Sequence, residues 1–154
     1  MRLVPVSAIV CSLSLCCALT APCAYAIDER PTDPQTIAAL VQRAAVAQPR
    51  EQCFLYAEIV HQTTELAAKQ LAAGDVDMAS MTLKTVQQYT NKIHMGMAED
   101  SKRLKNAEIL MRHTSYRLKT ILYGASADDR PMLQATMKQL DQVQSELMQQ
   151  VFRH

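Results

Sequence analysis

His94-Met95-Gly96-Met97 places one imidazole and two thioethers within four consecutive residues. On a helix, His94 and Met97 stand one turn apart on the same side. Cys53 joins them by arithmetic, because a tight antiparallel turn at Gly74-Asp75 sets Cys53 opposite roughly Met97. Thiolate, thioether and imidazole together are the ligand set that Cu(I) prefers. The expected metal site is therefore Cys53, His94 and Met97, with Cu(I) as the ion. Packing explains two of the three in a different way. Met97 falls on an apolar seam, where methionine fills gaps, and Cys53 aligns helically with Tyr56 and Val60 as core. His94 separates the readings, since packing does not require a histidine there.

Other reactive residues form weaker patterns. Glu58-x-x-His61 matches the i, i+3 carboxylate–histidine pair of di-iron bundles, but such a site needs a second copy and two further glutamates on facing helices. Glu108 and His113 have the wrong spacing, and a solvated helix face is the simpler expectation for Glu58 and His61. The chain has no nucleophile elbow, no glycine-rich phosphate loop and no His-Glu-x-x-His. Cys53 with a histidine as a hydrolase lacks an identified helix N-terminus to activate the thiol. The expectation is a protein without catalysis.

The elements that position these residues are helices. After the leader the chain is rich in Ala, Leu, Met, Gln, Lys and Glu, with three glycines and no tryptophan, and no stretch alternates with period two. Asp33 and Pro34 read as the N-cap and first position of a helix that Gln48-Pro49 interrupts. A second helix runs to Ala73, closed by Gly74, and Asp75 is the next expected N-cap. From Val76 the strongest pattern begins. Val76, Ala79, Leu83, Val86, Thr90, Ile93, Met97, Asp100, Leu104, Ala107, Met111, Thr114, Leu118 and Ile121 step by threes and fours, at a period of about 3.5 residues. Read as one helix, residues 76–122 span about 70 Å. Gly124 ends it, and a last helix runs from about Pro131 to Phe152.

Short turns make consecutive helices antiparallel neighbours. The expected fold is all-α: an elongated, coiled-coil-like antiparallel three-helix bundle on one long central helix. Its first half lies beside 50–73, its second beside 131–152, and 34–48 continues past Pro49 in the same direction. A kink near Gly96, folding the spine into a compact bundle, is the alternative. Uncovered seam on the straight spine favours a homodimer, and Asp100 is the seam's acidic member. Leu71-Ala72-Ala73-Gly74-Asp75-Val76-Asp77-Met78-Ala79, with Leu83 and Tyr89 beyond, resembles the hairpin turn of a tetratricopeptide repeat. No second copy follows at a period of about 34 residues, so the likeness implies a helical hairpin and nothing larger.

The first 26 residues read as a secretory signal peptide. Arg2 is the positive start, Leu3 to Ala21 are uncharged, Pro22 breaks the run, and Ala24-Tyr25-Ala26 is a small-x-small cleavage site. Residues 27–32 form a polar leader and 33–154 a single helical domain. Cleavage removes Cys11, Cys16, Cys17 and Cys23, leaving Cys53 unable to form an internal disulfide. It also removes Arg2, leaving fifteen basic against fifteen acidic residues, a neutral chain with no basic patch for nucleic acid and no feature for membrane insertion. The function expected is that of an exported, periplasmic or secreted, helical binding or assembly protein. It would act through self-association or an envelope partner, with Cu(I) binding or sensing as the alternative.

Overall fold

A computed structural model describes residues 32–97 and 101–153. The segment expected to be a signal peptide, residues 27–31 of the expected leader, and Asp100 lie outside the described residues. Among those described, 86% are helical and none is in a strand. Five helices follow one another: α1 Pro34–Val46, α2 Pro49–Ala73, α3 Val76–Gly96, α4 Leu104–Gly124 and α5 Arg130–Val151. None is long and apolar enough to cross a membrane.

Local chemistry explains most of the ends. Asp33 caps α1 through a 2.7 Å bond accepted by its carboxylate from the Thr36 amide, with Pro34 in the first turn, where its missing N–H costs nothing. Gly74 closes α2 at φ 81°, a left-handed conformation that side chains resist. Asp75 and Asp129 precede α3 and α5, but neither makes a side-chain cap bond to its helix. Asp129 instead accepts the Ser126 hydroxyl at 2.6 Å, which ties the α4–α5 turn to itself.

The expected long spine is two helices. Met97 and residues 101–103 are non-helical, and Arg103 sits at φ 62°, so α4 begins on a new axis. The periodic pattern could not show this, because the step from Ile93 through Met97 to Leu104 keeps the heptad phase across the break. The seam itself is right. From Ala79 to Ile93 and from Leu104 to Leu118, its described members are buried. These members are covered within one chain, so they offer no uncovered seam to favour a homodimer.

The helices arrange as two hairpins side by side. α2 packs on α3 and α4 on α5; α2 also packs on α4, and α3 on α5. Consecutive α3 and α4 do not pack on each other. His61 meets Thr114 and Glu65 meets Arg117, while Ser80 meets Met132 and His94 meets Glu146. Partners rise together in number, so each of these pairs is parallel. The result is a four-helix core with α1 added outside, in place of a three-helix bundle. α1 does not continue past Pro49 either. It folds back antiparallel on α2, where Leu40 and Ala44 meet Leu55 and Ile59. Gln52 holds the reversal by donating to the carbonyls of Ala44 and Ala47, both at 3.3 Å.

The core has a recurring polar device. Thr64, Thr90, Thr114 and Thr136, one on each of α2 to α5, are fully buried. Each hydroxyl donates to the carbonyl four residues back, at 2.8–2.9 Å, so burial leaves no donor unpaired. α2 and α4 also match in sequence at a spacing of 50 residues: Ala57-Glu58-Ile59 with Ala107-Glu108-Ile109, Thr64 with Thr114, Lys69 with Lys119, and Gly74 with Gly124. Phe54 and Leu104, Ala57 and Ala107, and Ala68 and Leu118 are buried at equivalent places. His61 is the exception, for its equivalent is the buried Met111.

Candidate functional site

Cys53 lies in the second turn of α2 and is fully buried in the main core cluster. Burial pushes its thiol up to about 11, because a thiolate there would lose its water. Met97, just past α3, is half-buried and packs against the same cluster. His94 faces away. Its side chain is 53% exposed, and its Nδ1 meets Glu146 Oε2 at 2.5 Å across the α3–α5 contact. Partial burial works to raise the Glu146 carboxyl, but the hydrogen bonds from His94 and Gln142 outweigh it and hold it below its ordinary value. Cys53 and Met97 thus share one apolar environment, while His94 is engaged at the surface with a carboxylate. Among the described residues, no three His, Cys, Asp or Glu side chains gather so as to hold a metal.

Glu58 and His61 are where the structure departs most from the expected solvated face. His61 is half-buried between α2 and α4, with Nδ1 3.0 Å from the Thr114 hydroxyl. That hydroxyl has one proton, and it is given to the Leu110 carbonyl at 2.8 Å. Thr114 must therefore accept, and His61 donates from Nδ1, leaving Nε2 as the free nitrogen of the neutral ring. Burial lowers the His61 pKa, against the raising effect of Glu65 and with the help of His113. Glu65 in turn receives both bonds from Arg117 Nε, each at 3.1 Å. Glu58 has one buried carboxylate oxygen without a hydrogen-bond partner, and its equivalent Glu108 is buried with Arg112 3.9 Å away.

This layer is a polar seam between parallel helices. Its groups orient one another, and Arg117 at one edge also lines a cavity at the turn end of the bundle, whereas Glu58, His61 and Thr114 line neither that cavity nor the one at the opposite end. The sequence held a signal for it: Glu58 and Glu108 recur at the same spacing as Thr64 and Thr114, which marks both helices as using one face alike.

The surface offers a different kind of feature. Tyr116 and Tyr123 are 75% and 76% exposed on α4, one heptad apart and so on one side of the helix. Met95 and Phe152 are exposed to a similar degree. Comparison with known protein families, with characterised proteins and with solved structures gives no match to this chain.

Proposed function

We propose that this is an exported helical binding or assembly protein that acts without catalysis, through contact with itself or an envelope partner. The observation that carries the reading is the exposed Tyr116–Tyr123 pair on a helix whose apolar seam is already buried. Tyrosine exposes a large apolar body with a polar tip, the combination enriched at the centres of protein interfaces. The core chemistry supports it from the other side: His61 bonds Thr114 across the α2–α4 contact, and the four buried threonine hydroxyls are taken up by carbonyls of their own helices. Residues 1–26 supply the address in this proposal, directing export and leaving after Ala26.

The test is capture from an envelope fraction by the wild-type protein and by a Tyr116→Ala/Tyr123→Ala double variant, alongside sedimentation of both. The expected result is a partner, or a second copy, held by the wild type and lost by the variant while helicity is unchanged. Identical capture and identical sedimentation would remove α4 as the contact face. N-terminal sequencing from the native host checks the address; an intact Met1 would mean that the segment is retained.

Cu(I) binding through Cys53, His94 and Met97 is the second reading, favoured by the common environment of Cys53 and Met97. The ion would have to displace a proton from a thiol that burial makes reluctant to lose it, and draw His94 away from Glu146. Competition of the reduced protein with a Cu(I) chelator tests it. Cys53→Ser and His94→Gln should each weaken binding by about 10-fold or more. Equal binding by His94→Gln would leave a packed core and no site.

A further inference from the structure

The end of the molecule opposite the Gly74 turn holds a cavity of about 310 Å³, where the close of α1, the start of α2 and residues 102–103 converge. Val46, Ala47, Phe54 and Leu55 give it apolar walls, and Arg43, Lys102 and Arg103 bring three cations to it against the single carboxylate of Glu51. Lys102 Nζ already meets that carboxylate at 3.3 Å. Among the described residues, Arg43 and Arg103 have no acidic partner, so the pocket keeps two guanidinium groups beside an apolar floor.

Arg103 is placed there at a cost. It is the only described residue other than glycine with a positive φ. Such a conformation is strained for an L-residue and persists only where its surroundings hold it. Two contacts do so: the Lys102 amide donates to the Arg50 carbonyl at 2.7 Å, and the Arg103 guanidinium carbon lies 3.5 Å from the centre of the Phe54 ring. Stacking on the ring restrains the guanidinium plane while leaving its N–H edge free to donate.

We propose that this pocket binds a small amphipathic carboxylate. The apolar body lies against Val46, Ala47, Phe54 and Leu55, and the carboxylate accepts from Arg43 and Arg103. Guanidinium and carboxylate match as a planar two-bond pair, and a cavity this small fits one short apolar chain or ring. A cationic ligand is repelled, and a neutral one gains no charge-assisted bond from either guanidinium. The inference is independent of the assembly reading, since it needs no partner protein and uses neither Tyr116 nor Tyr123.

Octanoate is the probe, with octanol as the neutral match, titrated into the isotope-labelled full-length protein and followed by amide NMR shifts. The expected result is saturable octanoate binding, with shifts confined to residues near 43–55 and 101–104, and octanol weaker by about 10-fold or more. Arg43→Gln should weaken octanoate by a similar factor. So should Arg103→Gly, which removes the guanidinium but accepts the positive φ, so the local fold is kept. Octanol binding as tightly as octanoate would reduce the pocket to an apolar dimple. Octanoate binding that does not saturate, or that both variants retain in full, would overturn the proposal.

Discussion

Breaking the apparent spine into α3 and α4 has a consequence large enough to measure as a distance. Met78 and Tyr123, both exposed, are 45 residues apart in the chain. On a continuous helix they would stand about 68 Å apart at about 1.5 Å per residue. In the folded arrangement Val76 and Ile121 border one cavity of about 470 Å³ at the turn end of the bundle, together with Ala72 and Gly124. A cavity of that volume is about 10 Å across, so dyes one or two residues beyond its walls lie within about 25 Å of each other. The variant is Met78→Cys/Tyr123→Cys carrying a donor and an acceptor, in a chain where Cys11, Cys16, Cys17 and Cys23 are replaced by Ser. Native Cys53 needs no removal, because it is fully buried and its thiol stands at about 11, so it does not compete for label under mild conditions. Near-complete energy transfer is expected, unchanged on dilution with unlabelled protein, which excludes transfer between molecules. A separation near the straight-helix value would restore the spine and sink the side-by-side arrangement of the two hairpins.

Core and surface should respond differently to truncation. Leu83→Ala, fully buried, should cost about 2–5 kcal/mol in urea unfolding, and Met81→Ala on the outer side of α3 should stay within about 0.5 kcal/mol. Gln87 donates to the buried Thr136 hydroxyl at 2.8 Å, so Gln87→Ala should cost about 1 kcal/mol, read from the same unfolding curves. Gly74→Ala should cost about 1 kcal/mol from backbone strain alone, since a Cβ there meets nothing within 4 Å; an unchanged midpoint would refute the left-handed cap. The lowered His61 pKa means that the unfolded chain binds more protons over the window below its ordinary value near 6.5. Stability from this residue is therefore full above that window and falls as pH drops through it, with recovery on raising pH. His61→Met, copying the equivalent Met111, should remove that part of the pH dependence. Urea melts of both proteins at pH 5 and 7.5 check it, and an equal pH effect in the two would place the titration elsewhere.

Much of this chain is local and therefore legible without a structure. The all-helical class, the cap at Asp33, the stop at Gly74 and the buried face of α3 and α4 follow from propensity, backbone geometry and period, all properties of a few neighbouring residues. Cys53 as core was legible for the same reason, since it shares a helical face with Val60. What one face touches is not local. Heptad phase runs unbroken from Ile93 to Leu104, so the pattern is the same whether the chain continues straight or turns between them. Gly96 leaves no trace in that phase. The side-by-side packing of α2 with α4 depends on long-range pairs such as His61 with Thr114 and Glu65 with Arg117, some 50 positions apart. That contact alone made His61 a half-buried donor to Thr114 and withdrew it from solvent, and the turn at 101–103 alone carried Arg103 to the ring of Phe54. A side chain's pairing and charge state are set by the groups that folding brings around it, and sequence distance does not encode which groups those are.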